Sequence, residues 1–143
     1  MPPEPEITLV RPEQLTSKAP YAYAAVVADL VFTAGACPLD PDGRTVAVGD
    51  VVGQARQVMA NLETALNAAG ARLTDVVKTT VYVASTRQSD LGAVWDVVHE
   101  AFGDHEAPST LLGVTVLGYD GQLVEVEAVA LRRTAPRGDG RST

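Results

Sequence analysis

Residues 124–131, Val-Glu-Val-Glu-Ala-Val-Ala-Leu, constrain the fold of the whole chain. Successive side chains of an extended strand point to opposite faces. Val124, Val126, Ala128 and Ala130 therefore share one face, and Glu125, Glu127, Val129 and Leu131 share the other. The first face is apolar throughout. The second begins with two carboxylates and ends too apolar at Val129 and Leu131 to lie in water. A sheet built on this strand needs cover on both sides.

Two amphipathic segments can cover one side. Val52, Ala55, Met59, Leu62, Leu66 and Ala69 recur at steps of three and four, which places them on one helical face, with Arg56, Glu63 and Asn67 opposite. Asp50 precedes this helix as an N-cap, and Gly70 stands where a left-handed C′ residue is wanted. Leu91, Val94, Trp95, Val98 and Phe102 form the stripe of a second helix, capped by Ser89 or Asp90 and ended by Gly103.

Strands are expected at 7–10, 21–28, 30–36, 45–48, 76–84, 111–117 and 123–131. Asp40-Pro41-Asp42-Gly43 is a turn, since Pro41 presets φ and Gly43 accepts a positive φ. Asp120-Gly121, after Tyr119, predicts a hairpin joining the last two strands. The order gives an α+β fold, a mostly antiparallel sheet with two helices on one face. Nothing remains in the chain to cover the other face, so self-association through it is expected.

The 143 residues make one domain, with an ordered core over about 7–133 and loose, Pro/Gly-rich or charged ends at 1–6 and 134–143. Eleven Lys+Arg against eighteen Asp+Glu leave a formal charge of −7, which disfavours nucleic acid and anionic membrane as partners. No signal-peptide pattern and no long uncharged apolar stretch is read, and Cys37, the single cysteine, has no partner for an internal disulfide. The expectation is a soluble cytoplasmic protein.

Glu125 and Glu127 fall on one strand face, where one carboxylate could activate a water as a general base or both could simply be solvated. Tyr21, after Pro20 at a strand start, is either a pocket wall or an edge residue. His99 and His105 lie six apart across a helix end and do not make metal-ligand spacing; Cys37 has no neighbouring base to activate it. P-loops, dinucleotide-binding glycines and serine-nucleophile motifs are absent. No metal and no cofactor are expected.

Several stretches together resemble the RidA (YjgF) family of reactive-intermediate imine and enamine deaminases, formerly called L-PSP endoribonucleases. They are Pro20-Tyr21, Phe32-Thr33-Ala34-Gly35, Gln54-Ala55-Arg56-Gln57, Asn61-Leu62, Ala68-Ala69-Gly70, Val77 through Val83, Glu100-Ala101-Phe102, Pro108-Ser109 and Val124 through Ala128. The resemblance implies a chorismate-mutase-like fold, a homotrimer around a central β-barrel, and a small-molecule cleft at each subunit interface. It also implies cofactor-free hydrolysis of imines such as 2-iminobutanoate, with Tyr21 and Glu125 as the catalytic pair and Glu125 holding the water.

Where the family has a serine, an arginine that clamps the substrate carboxylate, a cysteine and a helical asparagine, this chain has Ala34, Thr110, Leu112 and Asp96. With Gly35 and Leu111 these make the expected substrate-binding set. Without the arginine, typical 2-imino acids are not the expected substrates, unless Lys18 or a cation from another copy replaces it. A non-catalytic metabolite- or partner-binding trimer is the alternative, and an endoribonuclease a minor one.

Overall fold

The computed structural model describes residue 4 and residues 6–136; the expected loose ends at 1–3, 5 and 137–143 lie outside the described residues. The elements are β1 (Ile7–Val10), β2 (Ala24–Val27), β3 (Leu30–Thr33), α1 (Val51–Ala69), a 3-10 turn (Leu73–Asp75), β4 (Val76–Val83), α2 (Gln88–Phe102), β5 (Ser109–Gly113) and β6 (Val124–Leu131). They form a six-stranded sheet in the order β1-β2-β3-β6-β4-β5 with two helices, an α+β fold. No helix among the described residues is long and apolar enough to cross a membrane.

The first helix forms where its pattern places it. The Asp50 side chain accepts from the Gly53 N–H, and Gly70 takes φ 94°, its N–H reaching back to the Asn67 and Leu66 carbonyls. A side chain at Gly70 would also collide with the carbonyl oxygen of Thr134, 2.2 Å from an added Cβ. The N–H groups of Arg133 and Thr134 both donate to the Gly70 carbonyl, so the tail remains tied at residue 134, one residue past the expected end of order.

The second helix starts differently from expectation. Arg87 is its N-cap and makes no side-chain cap bond. Ser89 is exposed, and Asp90 sits inside the first turn, where the helix dipole favours a carboxylate. There it accepts from the Ser85 hydroxyl at 2.7 Å, while the Arg87 N–H donates to Ser85 Oγ.

The predicted hairpin at Asp120-Gly121 does not form. β5 pairs with β4, in parallel, and β6 lies between β3 and β4, antiparallel to both. A parallel neighbour requires a crossover of a dozen or more residues, and α2 provides it between β4 and β5. β5 stops at Gly113, whose backbone passes so close to the Ser85 carbonyl that an added Cβ would sit 2.7 Å from it. Asp120-Gly121 still turns, with Gly121 at φ 73°, but docks on other partners: Thr45 Oγ1 donates to Asp120 O and Gln54 Nε2 to Gly121 O.

The expected strand at 45–48 is reduced to one bridge, Leu39 to Thr45, because Ala47 and Gly49 both take positive φ and end the extended run. The strand expected from residue 21 begins only at Ala24, and beyond Thr33 the expected run to 36 survives as a single bridge from Ala36 to Val126.

The helices cover one face of the sheet. Val26, Val31, Val81, Val124 and Val126 pack there with Val58, Leu62, Leu66, Val94 and Val98, all buried. The alternation of β6 is complete, with Val124, Val126, Ala128 and Ala130 buried and the intervening residues half-buried. On the uncovered face Ile7 is 69% exposed, and Leu9, Leu30 and Phe32 are exposed beside it. Register joins them to β6 through Leu30 opposite Leu131 and Phe32 opposite Val129. The apolar half of the last strand's second face is thus the middle of a larger open apolar surface.

Candidate active site

Glu125 is the second residue of β6 and rises from the open face at the end where β3 has stopped pairing. The Ala36–Val126 bridge carries residues 34–37 across its side chain. Gly35 is there because nothing larger fits: an added Cβ would lie 2.1 Å from Glu125 Oε2, 2.5 Å from Cδ and 2.7 Å from Cγ.

The other oxygen is held by the protein. Glu125 Oε1 accepts from Gln122 Nε2 at 3.1 Å and stands 3.4 Å from Cys37 Sγ, which is equally far from the Gly35 carbonyl. Among the described residues no buried side-chain polar atom lacks a partner. Oε2, which accepts nothing from the protein, is therefore open to solvent.

Tyr21 joins this cluster through the turn before β6, its hydroxyl 2.9 Å from that of Tyr119. Burial, followed by the Tyr119 bond, pushes its hydroxyl well above the ordinary tyrosine range. It therefore stays protonated and available as a donor. Tyr23, whose hydroxyl donates to Thr16 O at 2.6 Å, is pushed up to about 12, chiefly by burial. Burial, then the Glu125 charge, pushes the Cys37 thiol up to about 12, so it is not a nucleophile at neutral pH. Tyr21, Tyr23, Ala34, Cys37 and Asn61 line a recess of about 20 Å³, room for about one water.

The expected site residues form two groups, and two residues stand apart from both. Tyr21 and Ala34 line one recess, Gly35 packs on Glu125, and Cys37 joins the two pairs. Thr110 and Leu112 stand on the open face of β5, opposite Thr80 and Tyr82 of β4, with β4 between them and β6. Leu111 and Asp96 do not join either group. Leu111 turns to the other face, opposite the buried Val81, and packs on the core. Asp96 is exposed on α2, on the helix side of the sheet, because Val94 and Val98 take that helix's buried positions.

Thr110 is not alone. Lys78 Nζ donates to its hydroxyl at 2.7 Å, which brings an ammonium to the position where the resemblance expects a guanidinium. Lys18 instead lays its aliphatic stem against the Gly43 turn. Glu127 accepts from the Tyr82 hydroxyl at 2.5 Å, and this bond, with burial second, pushes Tyr82 up to about 12.

Sequence reasoning missed Gln122, Tyr119 and Gln54. Gln54 is fully buried and bridges the turn to the strand that bears Glu125: it donates to Gly121 O at 2.8 Å and accepts from the Leu123 N–H at 2.7 Å. A glutamine on the apolar face of a helix was the available signal. The histidines are occupied structurally: His99 stacks on Trp95, and His105 Nε2, facing the Val76 carbonyl at 2.7 Å, must carry the proton it donates. Among the described residues no group of three or more His, Cys, Asp or Glu is placed to hold a metal ion.

Fold and site define a small α+β protein with a carboxylate–tyrosine cluster at the rim of an open sheet. The comparisons agree on its kind. The family described as Endoribonuclease L-PSP matches residues 12–132. A 2-iminobutanoate/2-iminopropanoate deaminase of Salmonella typhimurium is 35% identical over 117 residues, 80% of this chain and 88% of that protein. A RutC family protein of Pyrococcus abyssi is 35% identical over 113 residues, 79% and 87% of the respective chains. The crystal structure of the YjgF gene product of Escherichia coli superposes with a TM-score of 0.76 at 30% identity, covering 87% of this chain and 98% of that one. The chain belongs to the RidA (YjgF) family.

Proposed function

We propose that this chain hydrolyses an imine or enamine to a carbonyl compound and ammonia without a cofactor, at a cleft between the subunits of a homotrimer. The observation that carries the reading is the half-buried Glu125 carboxylate, one oxygen bonded to the protein and the other open to solvent, joined through Cys37 to the recess that Tyr21 lines with a hydroxyl that stays protonated. The names of the deaminase relatives support it.

In this mechanism Glu125 Oε2 accepts a hydrogen bond from a water and takes its proton as the water oxygen attacks the C=N carbon. With the C=N nitrogen protonated at the outset, attack gives a neutral carbinolamine, which then collapses: Glu125 passes its proton to the nitrogen, the C–N bond breaks as the carbinolamine hydroxyl returns its proton to Glu125, and the carbonyl compound and ammonia leave. An enamine enters the same path after protonation at carbon. The Tyr21 hydroxyl donates to a substrate heteroatom. Open apolar side chains from Ile7 to Leu131 support assembly of three copies, whose sheets would form the central barrel.

Thr110 supplies a hydroxyl, and the Lys78 ammonium bonded to it is a point charge without the two-pronged fork of a guanidinium, so a substrate that does not depend on a bidentate carboxylate clamp fits best. Ammonia release from imines generated in situ tests the activity. Glu125→Ala is expected to abolish it and Tyr21→Phe to reduce it; equal rates in all three proteins refute the reading. Thr110→Arg, in a Lys78→Met background so that two cations do not compete, is expected to raise turnover of 2-iminobutanoate, and no gain counts against the placement of the carboxylate clamp.

Ala34, Thr110 and Leu112 together favour a second reading, a trimer that binds a metabolite or partner in the same cleft without turnover. A small molecule that raises the melting temperature and is recovered unchanged would select it. An endoribonuclease is the weakest reading, given a formal charge of −7.

A further inference from the structure

We propose that Gln122 is the positioning residue that divides the labour between the two oxygens of Glu125, immobilising Oε1 so that Oε2 alone handles the water. This rests on the hydrolase reading, and it names a residue that the reading does not require.

Gln122 is 4% exposed at the end of the turn that leads into β6, its own N–H donating to Tyr119 O. Its amide can face only one way. Oε1 accepts from the Tyr119 N–H at 3.0 Å, which only an oxygen can do, so Nε2 is turned toward β6. The two Nε2 protons are then both used, one on Val124 O and one on Glu125 Oε1, each at 3.1 Å.

The amide is thus a rigid strut with no spare valence, and the turn behind it is fixed by Gln54 at Gly121 and Leu123. Cys37 adds a weaker contact to the same carboxylate oxygen from the opposite segment. Gly35 packs its backbone against Oε2 with no side chain that could displace the carboxylate. Glu127, two residues on, shows the contrast: its oxygen takes a tyrosine hydroxyl from a neighbouring strand and has no buried amide behind it.

A merely structural glutamine would close the turn and nothing more. Two readouts separate the roles. The first needs no substrate. Cys37 is the only cysteine in the sequence, so the chemical shift of 13Cβ-labelled cysteine titrates one group, and that group is pushed up to about 12 by burial and by the Glu125 charge. In otherwise wild-type protein Glu125→Gln is expected to lower the thiol's titration. In a Gln122→Met background the same substitution is expected to lower it by less, because the carboxylate no longer stands against the thiol. An undiminished shift overturns the proposal.

The second readout is the rate of imine hydrolysis. Gln122→Met is expected to lower kcat by about 10- to 100-fold, the loss of one hydrogen bond to a charged group, with KM within about twofold. A loss of rate that only follows the unfolded fraction overturns the proposal. Should Gln122→Met fail to fold, Gln122→Glu carries the test: one of its oxygens can still accept from the Tyr119 N–H while the other meets Glu125 Oε1 as a second acceptor, so kcat is expected to fall with KM within about twofold, and an unchanged kcat overturns the proposal. If the thiol coupling behaves as expected but the parent protein releases no ammonia, Gln122 still positions Glu125 and the hydrolase reading is what fails.

Discussion

Gly35→Ala is the sharpest perturbation of this site, because it adds one methyl group at a place where the structure states what that methyl meets. Three consecutive atoms of Glu125 lie 2.1, 2.5 and 2.7 Å from the position of the new Cβ. No rotation of the terminal carboxylate alone relieves contacts with Cγ and Cδ as well as Oε2, so the whole side chain must leave its rotamer. That costs about 0.5–1.5 kcal/mol for a strained side chain. It also costs about 1.5–3 kcal/mol for the lost charged hydrogen bond to Gln122. Taken as misplacement of the reacting carboxylate, roughly 2–4.5 kcal/mol corresponds to about 30- to 2,000-fold in rate.

Folding is expected to suffer much less, since Gly35 does not sit at a positive φ and a displaced Glu125 can move into solvent. The assay compares initial rates of ammonia release with urea-unfolding midpoints in Gly35→Ala, Glu125→Ala and the double variant. The double variant is expected to be no slower than Glu125→Ala, because the clash acts only through that carboxylate. A Gly35→Ala protein within about threefold of the wild-type rate would refute the reasoning, and so would a double variant slower than either single one.

Gln54→Leu keeps the volume but orphans the Leu123 N–H and the Gly121 carbonyl, each worth about 1–3 kcal/mol when left unpaired. A melting temperature lower by roughly 6–15 °C is expected, and a change under 3 °C would mean the turn finds other partners. Asp75 is buried, which would raise its pKa, but the Arg72 N–H at 2.8 Å and the Arg133 guanidinium at 3.0 Å outweigh that and hold it below the usual carboxylate value. Its folded-state pKa being the lower one, its contribution is full above the unfolded value of about 4 and is lost as pH falls through the folded one. Arg133→Ala is accordingly expected to narrow the gap between denaturant midpoints at pH 7 and pH 3, and an unchanged gap would remove Arg133 from the account.

The legible parts of the fold were those in which local chemistry and long-range packing agree. For the first helix, the apolar spacing, the Asp50 cap and the Gly70 stop all point the same way, and the helix runs between those two residues. The alternation of β6 was readable to the residue, and so was its uncovered apolar end. Pairing partners were not readable in the same way. Asp120-Gly121 carries the chemistry of a tight turn, and it does turn, but turn chemistry says nothing about which strands flank it in space. Gln54, sixty-seven residues away, decides that. At the site, Glu125 and Tyr21 were legible as candidates from their strand positions, and Gly35 through the resemblance. Gln122 and Cys37 were not, since an amide three residues before a carboxylate and a thiol 88 residues away become its neighbours only after the turn has been folded back on α1.

The place of Glu125 on β6 links the open apolar surface to the chemistry of the site. The open face changes character along that strand: Val129 and Leu131 lie in the apolar surface with Phe32 and Leu30, while Glu125 and Glu127 lie toward the end beside Tyr82. In the proposed trimer other copies cover the apolar part first, because only that part gains from leaving water. A carboxylate at the position of Leu131 would then be desolvated without a partner and would be driven toward its neutral form, useless as a base. A carboxylate outside the covered region would keep its charge but could not hold a substrate away from bulk water. Position 125 meets both demands, six residues from the apolar end, bonded through one oxygen and open to water through the other. Because strand side chains alternate with a period of two, a slip of β6 by a single residue would bury both glutamates under the helices, so register ties stability and chemistry to the same residues.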